Sequence, residues 1–345
     1  MKADTELSGL LKRVSRSLYL SIRALPDSLR PVFSAAYLLC RAADTIADTR
    51  LMPPERRIRW IRKFPGLLDD ARARDAALPE LAGELIPAAD IADERELLRS
   101  LGAVFALAQP LSDMERRLVR EVVGEVCSGM ETDLRVFGSD AASLKSFSTG
   151  EQLEEYCREI GGGPGVFWTR AAVLKERIPE NGLADKGRRI GEALQMVNIL
   201  RDTPRDLRIG RCYWPRTDLD SAGLSLADML RPELSEKFRP VAEKWMRWAV
   251  ERLSAAEEYV AALPKAQFGL RASVIWSVYW GLDTMLEVWK TGRFLDPAVK
   301  AKVPRARIYL TIAKTPAALA SNAVFLGGYR LRRDAFLDSL GRKSL

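Results

Sequence analysis

Residues 195–206 read Gln195-Met196-Val197-Asn198-Ile199-Leu200-Arg201-Asp202-Thr203-Pro204-Arg205-Asp206, and their spacing decides the fold class. Asn198, Asp202 and Asp206 recur every four residues, which on an α-helix lays three oxygen-bearing side chains along one stripe. Gln195 stands one turn before Asn198 on the same side. Leu194, Val197, Ile199 and Leu200 fill the other sides. A polar stripe on an otherwise apolar helix predicts the lining of a cavity rather than a solvated surface. Pro204 removes a backbone donor and disfavours helical geometry at Thr203, so the helix is expected to kink or end there.

A second stretch, residues 37–48, repeats the pattern: Tyr37-Leu38-Leu39-Cys40-Arg41-Ala42-Ala43-Asp44-Thr45-Ile46-Ala47-Asp48. Asp44 and Asp48 are four apart and Arg41 is three before Asp44, so all three share a helix face. The preceding residues are nearly all apolar. Carboxylates on a helix dressed for the core need a cation nearby. Aspartate oxygens suit magnesium, manganese or calcium, and magnesium held by one or two carboxylates typically engages substrate phosphates as well. Arg16, Arg41, Arg201 and Arg211 supply charge-assisted, often bidentate donors for diphosphate oxygens. Acids, arginines and apolar walls together imply a substrate with a diphosphate head and a hydrocarbon body. Aromatic faces such as Tyr37 can steady a carbocation left by departing diphosphate.

Around these two stretches, helical periodicity dominates and alternating strand patterns are scarce. Apolar stripes predict helices over 55–64, 93–107, 112–137, 153–160, 166–175, 184–201, 240–263, 268–290 and 308–325. A charged stretch at 69–75 and a Pro-containing segment through Pro87 follow the helix at 55–64. Gly161-Gly162-Gly163-Pro164-Gly165 predicts a break between helices that brings backbone close to a ligand or another helix, since it follows no strand and so is no dinucleotide fingerprint. The expected fold class is all-α: one large helical domain over 1–345.

The composition narrows the chemistry further. The 345 residues include no histidine, which excludes Ser-His-Asp and Cys-His nucleophile systems and histidine acid–base relays. Four cysteines stand far apart with no CxxC pair, reading as structural thiols in a reducing cytoplasm. The balance of 54 basic to 46 acidic residues gives +8, suited to an anionic small molecule or an anionic membrane surface. An exposed basic stripe for nucleic acid is not evident, and no nucleic-acid partner is expected. No apolar run is long enough to span a bilayer, so peripheral attachment at the inner membrane face is the most that is expected. The sequence leaves the oligomeric state open.

The chain resembles the squalene/phytoene synthase family of head-to-head prenyl transferases over about 14–290, with the remaining helices at 291–345. The resemblance is carried by SRSLYLSIRALP at 15–26, YLLCRAADTIAD at 37–48, EEYCREIGGGPG at 154–165 and QMVNILRDTPRDLRIGRCYWP at 195–215. It implies an all-α, single-domain helical bundle with a central cavity, of the isoprenoid synthase type, and a farnesyl-diphosphate farnesyltransferase-like prenyltransferase. Asp44, Asp48, Asn198, Asp202 and Asp206 would hold magnesium–diphosphate clusters, with Asp44 and Asp202 essential to the chemistry. Ser15, Arg16, Ser17, Tyr37, Arg41, Gln195, Asn198, Arg201 and Arg211 would contact diphosphate. Tyr156 would handle a proton or face the cation. The chain departs from the pattern at Ala47 and Arg205, where relatives often carry an acid. The implied reaction joins two farnesyl diphosphates through presqualene diphosphate and reduces the product to squalene with NADPH. Phytoene, dehydrosqualene or hydroxysqualene formation without reduction is the alternative, and a non-catalytic assembly factor is a rival of another class.

Overall fold

The computed structural model describes residues 9–11, 13, 18–49, 51–89, 91–138 and 143–341. Among these the regular structure is helical, apart from a parallel pairing of β1 (Lys145–Ser146) with β2 (Arg211–Cys212). The chain forms two compact units. One comprises Met1–Ser139 and Phe167–Glu180, the other Asp140–Val166 and Asn181–Leu345.

The first unit contains α1 (Leu18–Ala24), α2 (Arg30–Asp48), α3 (Pro54–Lys63), α4 (Ala71–Leu85), α5 (Ala92–Arg99), α6 (Leu101–Ala106) and α7 (Asp113–Phe137). Pro31 sits in the first turn of α2, where its missing N–H costs nothing. From there Val32, Phe33, Ala35, Ala36, Leu39 and Ile46 are buried, and the helix packs against α7. Ser112 starts α7 with a reciprocal cap: its backbone N–H donates to Glu115 Oε2 at 2.8 Å and its hydroxyl accepts from the Glu115 N–H at 3.3 Å. Most of the charged, proline-containing segment that follows α3, given no element from sequence, folds as α4. Asp70 caps it through the Ala73 N–H at 2.9 Å, and Ala77, Leu81 and Leu85 bury a stripe four residues apart. Pro79 lies inside this helix, and the carbonyl it leaves without a donor belongs to the exposed Asp75.

The second unit is built on α10 (Leu183–Arg208). Ahead of it come α8 (Gly150–Cys157), a single π-helical turn (Arg158–Gly162) and the start of α9 (Gly163–Glu176). After β2 follow α11 (Arg216–Ser221), α12 (Ser235–Leu253), α13 (Ala255–Ala262), α14 (Phe268–Thr291), α15 (Arg305–Ala320) and α16 (Asn322–Gly341). The π-helical turn, α12, α13 and α14 all pack on α10.

The glycine run therefore does not break the helix; it widens one turn. Its reason is close approach to α10. A Cβ on Gly161 would lie 2.3 Å from the Gly191 carbonyl oxygen, and one on Gly191 would lie 2.0 Å from that of Gly161. Gly165 meets Gly187 the same way, at 2.1 Å. Backbone touches backbone at two points one turn apart. Nor does Pro204 end α10, which runs on to Arg208. The Thr203 hydroxyl donates to the Ile199 carbonyl at 2.6 Å, so this turn keeps a hydrogen bond beside the proline. Elsewhere in the unit, fully buried Arg271 on α14 donates to the carbonyls of Val260 and Leu263 at 2.6 and 2.8 Å. It also reaches Asn322 Oδ1 at 2.8 Å.

Candidate active site

In the second unit the unbroken α10 keeps Asn198, Asp202 and Asp206 on one stripe. Asn198 is exposed and both aspartates are half-buried, while Met196, Val197, Ile199, Leu200 and Thr203 are buried. Asn198 Nδ2 reaches Gln195 Oε1 at 3.5 Å, so the two amides stand side by side. Arg201 grips Asp202 with two nitrogens, Nε to Oδ1 at 2.9 Å and Nη2 to Oδ2 at 2.6 Å. That hydrogen bond, with the nearby Asp206 charge, raises the Arg201 guanidinium pKa above its usual range despite partial desolvation. The planar fork matched to a carboxylate is equally matched to a phosphate.

β2 follows α10 directly and carries Arg211, half-buried, beside Cys212. The next residue, Tyr213, is buried and stacks on Tyr156 of α8. Their ring centroids are 5.1 Å apart and their hydroxyls 3.4 Å apart. Phe147 closes the group at 5.6 and 6.0 Å from the two rings. Tyr156 thus sits in a buried aromatic cluster, with its hydroxyl beside that of Tyr213. Tyr213 was not among the residues singled out from sequence. Its signal was the Gly-Arg-x-Tyr-x-Pro ending at 210–215, which marks a turn leaving β2 toward α8.

In the first unit Asp44 and Asp48 stand one turn apart on α2. Arg41 is ion-paired to Asp44 and holds Glu94 of α5 at 2.8 Å. Its Nε is buried and finds no acceptor among the described residues. Glu94 is a second residue that spacing alone did not reveal, because it comes from another helix. Tyr37 is half-buried one turn before Arg41. Ala47 is buried, and Arg57 donates to its carbonyl at 2.5 Å, so an acid at position 47 would enter packed core rather than the face shared by Asp44 and Asp48. Ser15, Arg16 and Ser17 lie outside the described residues.

The donor set fits magnesium. Each motif offers two carboxylates one turn apart, hard oxygen donors with an arginine beside them, and the α10 motif adds an amide oxygen. Among the described residues no three acidic or thiol side chains converge on one point. The thiols take no part. Burial raises the pKa of Cys157 well above the ordinary range and pushes Cys212 up to about 12.

Comparison with known proteins adds three findings. The family described as "Squalene/phytoene synthase" matches residues 11–307. A bifunctional lycopene cyclase/phytoene synthase of Pyrenophora tritici-repentis is 26% identical over 326 residues, covering 90% of this chain and 52% of that protein. The squalene synthase of Schizosaccharomyces pombe is 26% identical over 234 residues, 66% of this chain and 47% of that protein. The chain spans about half the length of the curated relatives it matches. Among solved structures, a ligand complex of TcSQS superposes with a TM-score of 0.80 at 19% identity, covering 100% of this chain and 93% of that one. A dehydrosqualene synthase with ligand gives 0.62 at 20%, covering 92% and 96%. The shared fold is all-helical.

Proposed function

The chain belongs to the squalene/phytoene synthase family, whose members are prenyltransferases, and from that premise we propose that it joins two prenyl diphosphates head to head. The observation that carries this reading is the stripe on α10: Asn198, Asp202 and Asp206 in phase on a helix whose Met196, Val197, Ile199, Leu200 and Thr203 are buried, with Arg201 forked onto Asp202. Asp202, Asp206 and Asn198 would hold magnesium in one unit, and Asp44 and Asp48 would hold it in the other. The ion would supply charge neutralisation of the departing diphosphate. Arg201 and Arg41 exchange a carboxylate partner for a diphosphate oxygen, for which a guanidinium fork is equally suited. Gln195 and Arg211 orient diphosphate, and Ser15, Arg16 and Ser17 are assigned a diphosphate-binding role on the family resemblance alone. Tyr156, backed by Tyr213, holds or accepts a proton at its phenol oxygen while apolar neighbours keep water from the cation.

The preferred substrate pair is two farnesyl diphosphates, converted through presqualene diphosphate to squalene with hydride from NADPH. The Asp-Thr-x-x-Asp form of 44–48 and the Tyr-Trp-Pro ending at 213–215 support it. Phytoene from two geranylgeranyl diphosphates is the second reading, favoured by the similarity to the fungal phytoene synthase fusions. Incubating the purified protein with magnesium and each labelled diphosphate, with and without NADPH, distinguishes them. Squalene made only when NADPH is present is the expected result. Phytoene from the longer substrate would replace the first reading with the second, and no turnover of either diphosphate would sink both.

A further inference from the structure

Helix α15 is inside out. Its inward face carries Thr311, Thr315 and Ala318, all buried, while Tyr309, Leu310 and Ile312 are 66%, 52% and 37% exposed. The burial of hydroxyls is no accident of packing. Thr311 accepts from Arg332 Nη2 at 3.1 Å, and Thr315 accepts from Trp276 Nε1 at 2.8 Å, so this face is fastened to α16 and α14 by hydrogen bonds. Tyr309, Ile312, Ala313 and Pro316 fall together on the outer side by helical periodicity, and all are exposed. A helix that hides its threonines and offers its tyrosine, leucine and isoleucine to the outside has an apolar face in want of a medium.

The charge around that face says which medium. Residues 297–333 contain eight basic residues and no acidic one. Four of the eight are engaged inward: Arg307 with Glu287 at 3.0 Å, Arg332 with Asp283 at 3.4 Å, and Arg330 and Arg333 with Glu257 at 2.9 and 3.2 Å. The other four, Lys300, Lys302, Arg305 and Lys314, are exposed and have no ion-pair partner among the described residues. Three of them precede or open α15 and the fourth flanks its middle. Apolar side chains and an interfacial tyrosine among unpaired cations, on a helix with no acid, are the makings of an element that lies in the plane of an anionic lipid surface. A second copy of this chain packing the same face against itself would set cations against cations with no acid on that stretch to match them, whereas an anionic lipid surface meets both the charge and the apolar side chains.

We propose that α15, with the basic segment leading into it, is a peripheral docking surface for anionic bilayers. No helix among the described residues is long and apolar enough to cross a membrane, so the attachment is one of lying on the surface. The surface is argued from exposure and charge alone and does not depend on which prenyl diphosphates the protein uses.

Co-sedimentation of the full chain with vesicles tests it. The protein is expected to pellet with vesicles of mixed phosphatidylcholine and phosphatidylglycerol, to stay in solution with phosphatidylcholine alone, and to be released as salt is raised from about 0.1 to 0.5 M. A Tyr309→Ser/Leu310→Ser/Ile312→Ser variant should lose the pelleted fraction while keeping the wild-type helical circular dichroism. Lys302→Glu/Arg305→Glu should weaken partitioning at least about tenfold. This second variant, altered only at exposed charges, decides the matter if the first fails to fold. Wild-type protein that ignores both vesicle types would overturn the proposal. So would a wild-type dimer in the absence of lipid that the serine variant turns into monomer, which would assign the face to a contact between copies.

Discussion

At the residue level, Asp202 is the sharpest test of the α10 site. Its carboxylate is half-buried and its partner Arg201 lies on the surface side of the helix, so the pair adds little to stability. Asp202→Ala should lower turnover by at least about a hundredfold, the scale expected when a group that stabilises developing charge is removed. Its thermal midpoint should stay near that of the wild type, since substitutions away from packed core rarely exceed about 0.5 kcal/mol. Initial rates and a melting curve on the same preparation read both effects. Turnover retained within tenfold would remove Asp202 from the metal set. The roles of Asp44, Asp202 and Arg201 could be posed from spacing because a helix turns individual letters into a stripe. Glu94 and Tyr213 could not be, since each reaches its partner, Arg41 or Tyr156, from an element distant in sequence.

At the level of elements, the crossing of α10 with the π-helical turn gives a prediction with its own control. Gly191→Ala puts a methyl 2.0 Å from a backbone oxygen that cannot rotate away, so the helices must separate. Overpacking of this kind costs typically about 1–3 kcal/mol, and backbone against backbone belongs at the upper end. Gly124→Ala, inside α7 with nothing within 4 Å of the new methyl, should instead gain about 0.5–1 kcal/mol from helix propensity. Urea unfolding of the two variants should move in opposite directions. Equal shifts would mean that the crossing is looser than described. Such contacts also show where sequence reading stops. Residues 161–165 announce that backbone approaches something, yet nothing local names Gly187 and Gly191 as that something. Similarly α4 was missed because Pro79 and the charges at 69–75 outweigh, to the eye, a burial stripe of only Ala77, Leu81 and Leu85. Pro204 misled in the other direction. A proline inside a helix predicts a stop only when the packing around it does not insist on continuation.

For the whole molecule, the absence of histidine governs how stability responds to pH. Several carboxyls are held below the usual carboxylate range. Glu131 is lowered first by its hydrogen bond with Arg62, and Glu155 by that with Arg158. In Glu115, desolvation is outweighed by the hydrogen bonds of Ser112 and the charge of Lys175. A group whose folded pKa is depressed contributes its stability above the unfolded value and loses it as pH falls through the folded one. These three therefore make the protein less stable below the ordinary carboxylate range of about 4. Asp283 works the other way. Burial raises its pKa, against the pull of Arg332 and Arg307, so the folded state holds its proton more tightly and its contribution falls as pH rises through that range. Three lowered groups outnumber it, and the net slope on the acid side should be positive. Above it no imidazole titrates, and burial keeps the Cys212 thiol protonated up to about 12. Differential scanning calorimetry should give a level thermal midpoint from about pH 5.5 to 8.5 and a decline below about 4.5. A step near pH 6.5 would contradict this account.

The paired glycines of α10 have a bearing on genetics. Two points of backbone contact a turn apart leave the helix one permitted rotation, so the direction in which Asn198, Asp202 and Asp206 point is set by four residues that have no side chain and touch no substrate. In a saturation library selected for product, Gly161, Gly165, Gly187 and Gly191 should be as intolerant as the aspartates. Survivors at those positions would be expected to carry compensating changes in the opposite helix rather than in the acids.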